Sequence, residues 1–148
     1  MKRPSIAGIH HLKFNVSDLG QSLRFYETVL GAKRVTELDH HRPNGDLFAY
    51  ILDVENLGTR LELRFSPEAA AREARQDPVT LSVKTRGDLV SWHDHLETNG
   101  IPHSRILTGV IGWLLVMEDP DVRRIRFYSV ETHPFITDVS KDRYWLGD

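Results

Sequence analysis

Three stretches of the chain interleave chemistry-bearing side chains with apolar ones: His11-Leu12-Lys13-Phe14-Asn15-Val16, Arg60-Leu61-Glu62-Leu63-Arg64-Phe65 and Arg124-Ile125-Arg126-Phe127-Tyr128. A period of two is that of a strand, whose successive side chains point to opposite faces. With the apolar set packed beneath helices, His11, Lys13, Asn15, Arg60, Glu62, Arg64, Arg124, Arg126 and Tyr128 are expected on the opposite, concave faces. The same parity adds Thr80, Ser82 and Lys84. Imidazole and carboxylate can move protons or ligate a metal, whereas guanidinium is always charged, offers no lone pair and recognises oxyanions. Lys13, Asn15, Thr80, Ser82, Arg124 and Tyr128, with Trp113, are therefore expected to line a ligand site. Arg60, Arg64 and Lys84 lie nearer strand ends and are expected at a solvated rim.

Several chemistries are excluded at once. The chain has no cysteine, which removes thiol nucleophiles, disulfides and thiolate metal sites. Asp39-His40-His41 comes with no nucleophile elbow, and neither a Walker loop nor a dinucleotide fingerprint is present. A net charge of −2, from 19 basic and 21 acidic side chains over 148 residues, gives no bulk attraction to nucleic acid. Apolar runs such as Val110 to Met117 are too short to span a membrane, and no apolar segment follows the Met-Lys-Arg start, so a cytoplasmic location is expected.

The elements that must hold these side chains follow from the pattern. Residues 9–16 form a strand, and Ser17-Asp18 offers a cap to a helix with Leu19, Leu23, Tyr26 and Leu30 on one stripe, stopped at Gly31. Strands are expected at residues 33–40, 47–54 and 59–65, with turns at Pro43-Asn44-Gly45 and Asn56-Leu57-Gly58. An Ala-rich helix over residues 67–75 connects to a second copy of the pattern. That copy has a strand at 77–84, a helix opening at Asp88-Leu89 and closing at Gly100, and strands at 104–108, 112–118 and 123–130. Asp18-Leu19 and Asp88-Leu89 stand 88 − 18 = 70 residues apart, and Glu27-Thr28 and Glu97-Thr98 share that offset. A βαβββ unit repeated once accounts for the coincidences, with modules at 7–66 and 77–130, a connecting helix at 67–76 and a tail at 131–148 packed across the body.

The run His10-His11-Leu12-Lys13-Phe14-Asn15-Val16-Ser17-Asp18-Leu19, with Ser22, Phe25-Tyr26 and Leu30-Gly31, resembles the vicinal oxygen chelate superfamily. That superfamily includes glyoxalase I, extradiol dioxygenases, and the fosfomycin and bleomycin resistance proteins. Asp119-Pro120-Asp121-Val122-Arg123-Arg124-Ile125 resembles its late Asp-Pro-Asp-Gly signature, and the likeness runs to about Val130. The resemblance implies an α+β fold, two βαβββ modules forming curved mixed sheets around a concave cavity. It also implies a divalent metal held by His and Glu on four equivalent strands. Here those positions are His11 and Glu62 in the first module, and Pro78 and Arg126 in the second. Half the donor set survives, and a cation replaces one donor.

Three functions are compatible with this site. The preferred one is a bleomycin-resistance-type binding protein without cofactor, taking an anionic or oxygen-rich small molecule, with Glu62 and Arg126 facing each other as a carboxylate–guanidinium pair. The second is a metal-independent isomerase or lyase in which His11 is the base, Glu62 the acid or orienting carboxylate, and Arg126 the oxyanion stabiliser. The third is a lyase or extradiol dioxygenase using Fe, Mn, Ni or Zn through an unusual set, to which His40, His41 or His103 could add a donor. A homodimer is expected, with no nucleic-acid or membrane partner.

Overall fold

A computed structural model describes residues 1–146. The chain divides into two compact units, Met1–Arg72 and a second beginning at Glu73. The first contains β1 (His11–Val16), α1 (Leu19–Leu30), β2 (Lys33–Arg34), a 3-10 turn at Thr36–Leu38, β3 (His40–His41), β4 (Leu47–Asp53) and β5 (Arg60–Phe65), and the boundary falls at the end of α2 (Pro67–Glu73). Its sheet runs β1-β5-β4-β2, with β3 also on β4; β1 and β5 are parallel and the other pairs antiparallel. The second unit contains β6 (Val79–Val83), α3 (Arg86–Thr98), β7 (Leu107–Thr108), β8 (Trp113–Glu118) and β9 (Arg124–Ser129), in the order β6-β9-β8-β7 with β6 and β9 parallel. Each unit is thus an α+β module with a mixed sheet. No helix among the described residues is long and apolar enough to cross a membrane.

Local chemistry explains the helix ends. The Asp18 side chain accepts from the Gln21 amide, and Gly31 closes α1 at φ 64°, a left-handed stop that suits glycine. In α3 the cap is Thr85, and Asp88 completes a capping box from inside the helix, so the helix opens two residues before the expected Asp88. Capping residues 18 and 85 are 67 apart (85 − 18), three fewer than the offset of the matching letters. Strand register gives the same value: Lys13 pairs with Glu62, Thr80 pairs with Arg126, and 80 − 13 = 67. On that offset His11 corresponds to Pro78, while Glu62 and Arg126, 126 − 62 = 64 apart, match as the register partners of Lys13 and Thr80.

Two expected strands are shorter than the pattern suggests. The stretch 33–40 breaks into β2, the 3-10 turn and β3, because the Arg34 guanidinium bonds back to the Asp39 carboxylate and folds the segment on itself. In the stretch 104–108, only Leu107–Thr108 remain strand; Ser104 spends its hydroxyl on the Val116 amide and the Arg105 carbonyl. The core follows parity, with Phe14, Val16, Leu61, Leu63, Ile125 and Phe127 all buried. Trp92 of α3 stacks on Phe127 at 4.3 Å between ring centres.

Candidate functional site

In the first unit, β1 and β5 carry His11, Lys13 and Asn15 beside Arg60, Glu62 and Arg64, in the register His11↔Arg60, Lys13↔Glu62 and Asn15↔Arg64. Glu62 is only 2% exposed. Its nearest partner is Arg64, two residues along the same strand and on the same face: Nε donates to Oε2 at 2.9 Å and Nη2 to Oε1 at 3.4 Å. Two imidazoles approach Oε1, with His40 Nε2 at 3.5 Å and His11 Nε2 at 3.9 Å. The His40 ring is oriented by a 2.8 Å contact between Nδ1 and the Leu38 carbonyl, and a register irregularity between His40 and His41 turns it toward Glu62. Lys13 is exposed and Asn15 half-buried. Arg60, expected at the rim, is exposed and pairs with Asp53 at 3.0 Å.

In the second unit, the pairings Thr80↔Arg126↔Val116, Ser82↔Tyr128↔Leu114 and Arg124↔Glu118 put these side chains on one face of the sheet. Thr80 and Ser82 are exposed on β6. Arg126 meets a carboxylate of its own unit. Its Nε lies 3.2 Å from Asp77 Oδ2, an ion-pair distance without hydrogen-bond alignment, so this buried nitrogen lacks a hydrogen-bond partner. Arg124 Nε is likewise buried without one. Glu62 and Arg126 are therefore each engaged within their own unit, and the surplus charge in the second unit is guanidinium.

Trp113 does not join this face. Its neighbour Leu114 pairs with Tyr128, so Trp113 points to the other side of β8, against His133 at 5.0 Å and beneath Arg86 at 5.9 Å.

The face is instead shaped by the tail. Ser140 and Thr108 exchange hydrogen bonds at 2.9 Å, through Ser140 N to the Thr108 carbonyl and Thr108 N to Ser140 Oγ. The chain then returns so that Tyr144, 5% exposed, packs on Leu107, Leu114 and Val116 with Tyr128 and Trp145 alongside. Residues 147–148 of the tail lie outside the described residues. Arg143 and Arg124 stand over the Tyr144 ring at 4.6 and 5.6 Å. Together with Arg75 and Glu118 they line an open pocket of about 560 Å³. A second open pocket, of about 800 Å³, sits in the first unit among His10, Lys33, Asp53, Glu55 and Arg60, where both signs of charge are mixed.

His40, Arg64, Arg75, Arg143 and Tyr144 are thus site residues that sequence parity left at strand ends or outside the modules. The Asp119-Pro120-Asp121-Val122 turn serves the scaffold: Asp119 accepts from the Asp121 and Arg123 amides, and the buried Arg123 guanidinium bridges Asp119 at 2.6 Å and Glu73 at 2.8 Å.

Solved structures share this architecture. The antibiotic binding protein TnmS3 from Streptomyces sp. CB03234 aligns with a TM-score of 0.67 at 17% identity, over 86% of this chain and 98% of that one. A mutant of the fosfomycin resistance protein FosX from Listeria monocytogenes, complexed with Mn(II) and 1S,2S-dihydroxypropylphosphonic acid, aligns at 0.68 and 12%, over 84% and 94%. Lactoylglutathione lyase from Agrobacterium tumefaciens aligns at 0.64 and 14%, over 86% and 96%. At these identities the likeness is one of fold. A family model matches residues 8–127, and the chain belongs to the Glyoxalase/Bleomycin resistance protein/Dioxygenase superfamily.

Proposed function

We propose that the protein is a binding protein for a small anionic or oxygen-rich molecule, and that it works without the divalent metal its superfamily resemblance implies. The observation that carries this reading is guanidinium standing where lone-pair donors are needed. Arg126 occupies one metal-ligand position, and Arg64 engages both oxygens of Glu62, the surviving carboxylate. Pro78 offers no donor at another position. A catalytic ion commonly takes three protein ligands and keeps a place for substrate. His11 and His40 both approach Glu62, but that carboxylate is already committed to Arg64, and the adjacent cations would repel a divalent ion.

The ligand class follows from the second unit. Its pocket of about 560 Å³ is of the size that holds small molecules, roughly 300–1,000 Å³. Arg75, Arg124 and Arg143 line it against one carboxylate, Glu118, and Arg124 keeps a buried donor free of any protein acceptor. Guanidinium suits carboxylate and phosphoryl oxygens, and the Tyr144 ring offers an apolar wall. The antibiotic and the phosphonate named for the similar structures accord with a small-molecule ligand. A cytoplasmic homodimer belongs to the same proposal, supported by β1 and β6 standing at the ends of their sheets, where an unpaired edge can template association.

Isothermal titration with citrate and with methylphosphonate tests the reading. Saturable binding that falls at least about tenfold in Arg124→Ala and in Arg143→Ala is expected. Binding unchanged in both variants would sink it. Sedimentation velocity reports the dimer directly.

A second reading is favoured by the two imidazoles on Glu62: metal-independent proton transfer, with His11 or His40 as base and the carboxylate orienting it. Deuterium incorporation from D2O into a 2-oxo acid, catalysed by the wild type and lost in His40→Asn, would support it. Exchange at the uncatalysed rate with every acid tried would remove it.

A further inference from the structure

Away from the faces described above, His93, Glu97 and His103 form a cluster whose ligating atoms all lie within 4.8 Å of one another. His93 and Glu97 are four residues apart on α3, the spacing that puts two side chains on one helix face. His103 comes from the segment after the helix and bridges to Met117 of β8. Met117 pairs with Ile125, whose side chain is buried on the α3 side of the sheet, so the cluster lies on the opposite face from Arg124 and Arg126.

The geometry points to a divalent transition-metal site of two imidazoles and one carboxylate, suited to zinc. The decisive detail is the ring of His103. Its Nδ1 is 2.6 Å from the Ser104 carbonyl oxygen, which can only accept, so Nδ1 carries a proton and donates it. In the neutral ring Nε2 then presents a bare lone pair, and it faces Glu97 Oε1 at 3.0 Å. Two lone pairs do not approach that closely unless a cation stands between or beside them, either a proton or a metal. A backbone carbonyl on the far nitrogen is also how metal-binding histidines are commonly held in the ligating tautomer. The His93 ring stands edge-on to His103 at 4.8 Å between centres, within reach as a third donor.

Exposure suits a site that can be filled from solvent. The His103 side chain is anchored at 7% exposed, whereas Glu97 at 64% is free to adjust. Zinc needs ligand atoms about 2.0–2.2 Å from the ion, so Glu97 and His93 would draw in on the anchored His103 and leave the fourth position for water. Arginine, which disqualifies the concave-face position, is absent from the three members here. Bound metal would fasten the end of α3 to the segment entering β7, and binding confined to the folded state raises stability by mass action.

The test uses the full, untagged chain stripped with chelator and titrated with Zn2+ against a chromophoric competitor, with thermal unfolding followed in parallel. One zinc per chain and a rise in Tm with Zn2+, but none with Mg2+, are expected. Glu97→Gln and His93→Asn, both at solvent-accessible side chains, should each weaken zinc at least about tenfold. His41→Asn, which removes an exposed imidazole elsewhere, should leave zinc affinity unchanged. A zinc site that survives in both cluster variants, or no zinc-dependent change in Tm, overturns the proposal and leaves a His103–Glu97 ion pair.

Discussion

Arg64 grips Glu62 from two residues along the same strand, with both carboxylate oxygens engaged, at 2.9 and 3.4 Å. A side chain that parity placed at a wet rim thus neutralises the most buried carboxylate of the candidate site. Arg64→Gln removes the charge while keeping a polar group, and Glu62 is left buried beside His11 and His40. We expect a loss of about 1–3 kcal/mol in urea unfolding, as for an uncompensated buried acceptor. The freed carboxylate should also admit Mn2+ at least about tenfold more tightly than the parent protein, measured by electron paramagnetic resonance in a His93→Asn background. Unchanged Mn2+ binding would show that Arg64 does not keep a divalent ion from Glu62.

Val122 sits at φ 63°, in the left-handed region, at the point where the superfamily's signature has glycine. A β-branched residue there carries a steric cost of roughly 1–2 kcal/mol, part of which glycine's greater unfolded-state freedom offsets. Val122→Gly should therefore stabilise the protein by about 1 kcal/mol, read as a higher urea midpoint with the same slope.

Gly112 lies where the β7–β8 turn closes on Tyr128. A Cβ at this position would meet Tyr128 Cε1 at 2.8 Å and Ser129 Oγ at 2.9 Å. Ser129 Oγ is itself bonded to the Trp113 amide and the Glu131 carbonyl, so it cannot simply retreat. Gly112→Ala should cost about 1–3 kcal/mol and shift the Tyr128 ring, visible as a changed near-ultraviolet circular dichroism spectrum.

Tyr144 carries the tail onto the second sheet. Tyr144→Ala removes a ring packed on Leu107, Leu114 and Val116, and should destabilise by about 3–5 kcal/mol. Tyr144→Phe keeps the ring and loses only the contact between Arg143 Nη2 and the hydroxyl, at about 1 kcal/mol. If both variants unfold at the wild-type temperature, the tail does not hold that face.

The sequence by itself determined the module, its repetition, and the face on which most candidate side chains lie. Alternation along Ile9 to Val16 and Arg123 to Val130 encodes the face of each residue, because a strand's period of two leaves only two choices. It also determined that positions 78 and 126 are Pro and Arg, which weakens a metal reading before any geometry is known. The tertiary structure alone decided the partners. Arginine is long enough to reach several acceptors, so register and packing assign Glu62 to Arg64 and Arg126 to Asp77. Those choices depend on where β5 and β9 end and what flanks them. His40 reaches Glu62 only because Arg34 folds on Asp39 and β3 is irregular, neither of which has a periodic signature. That the tail packs on the body was legible from Tyr144 and Trp145, but which side chains Tyr144 covers arises from contacts distant in the chain.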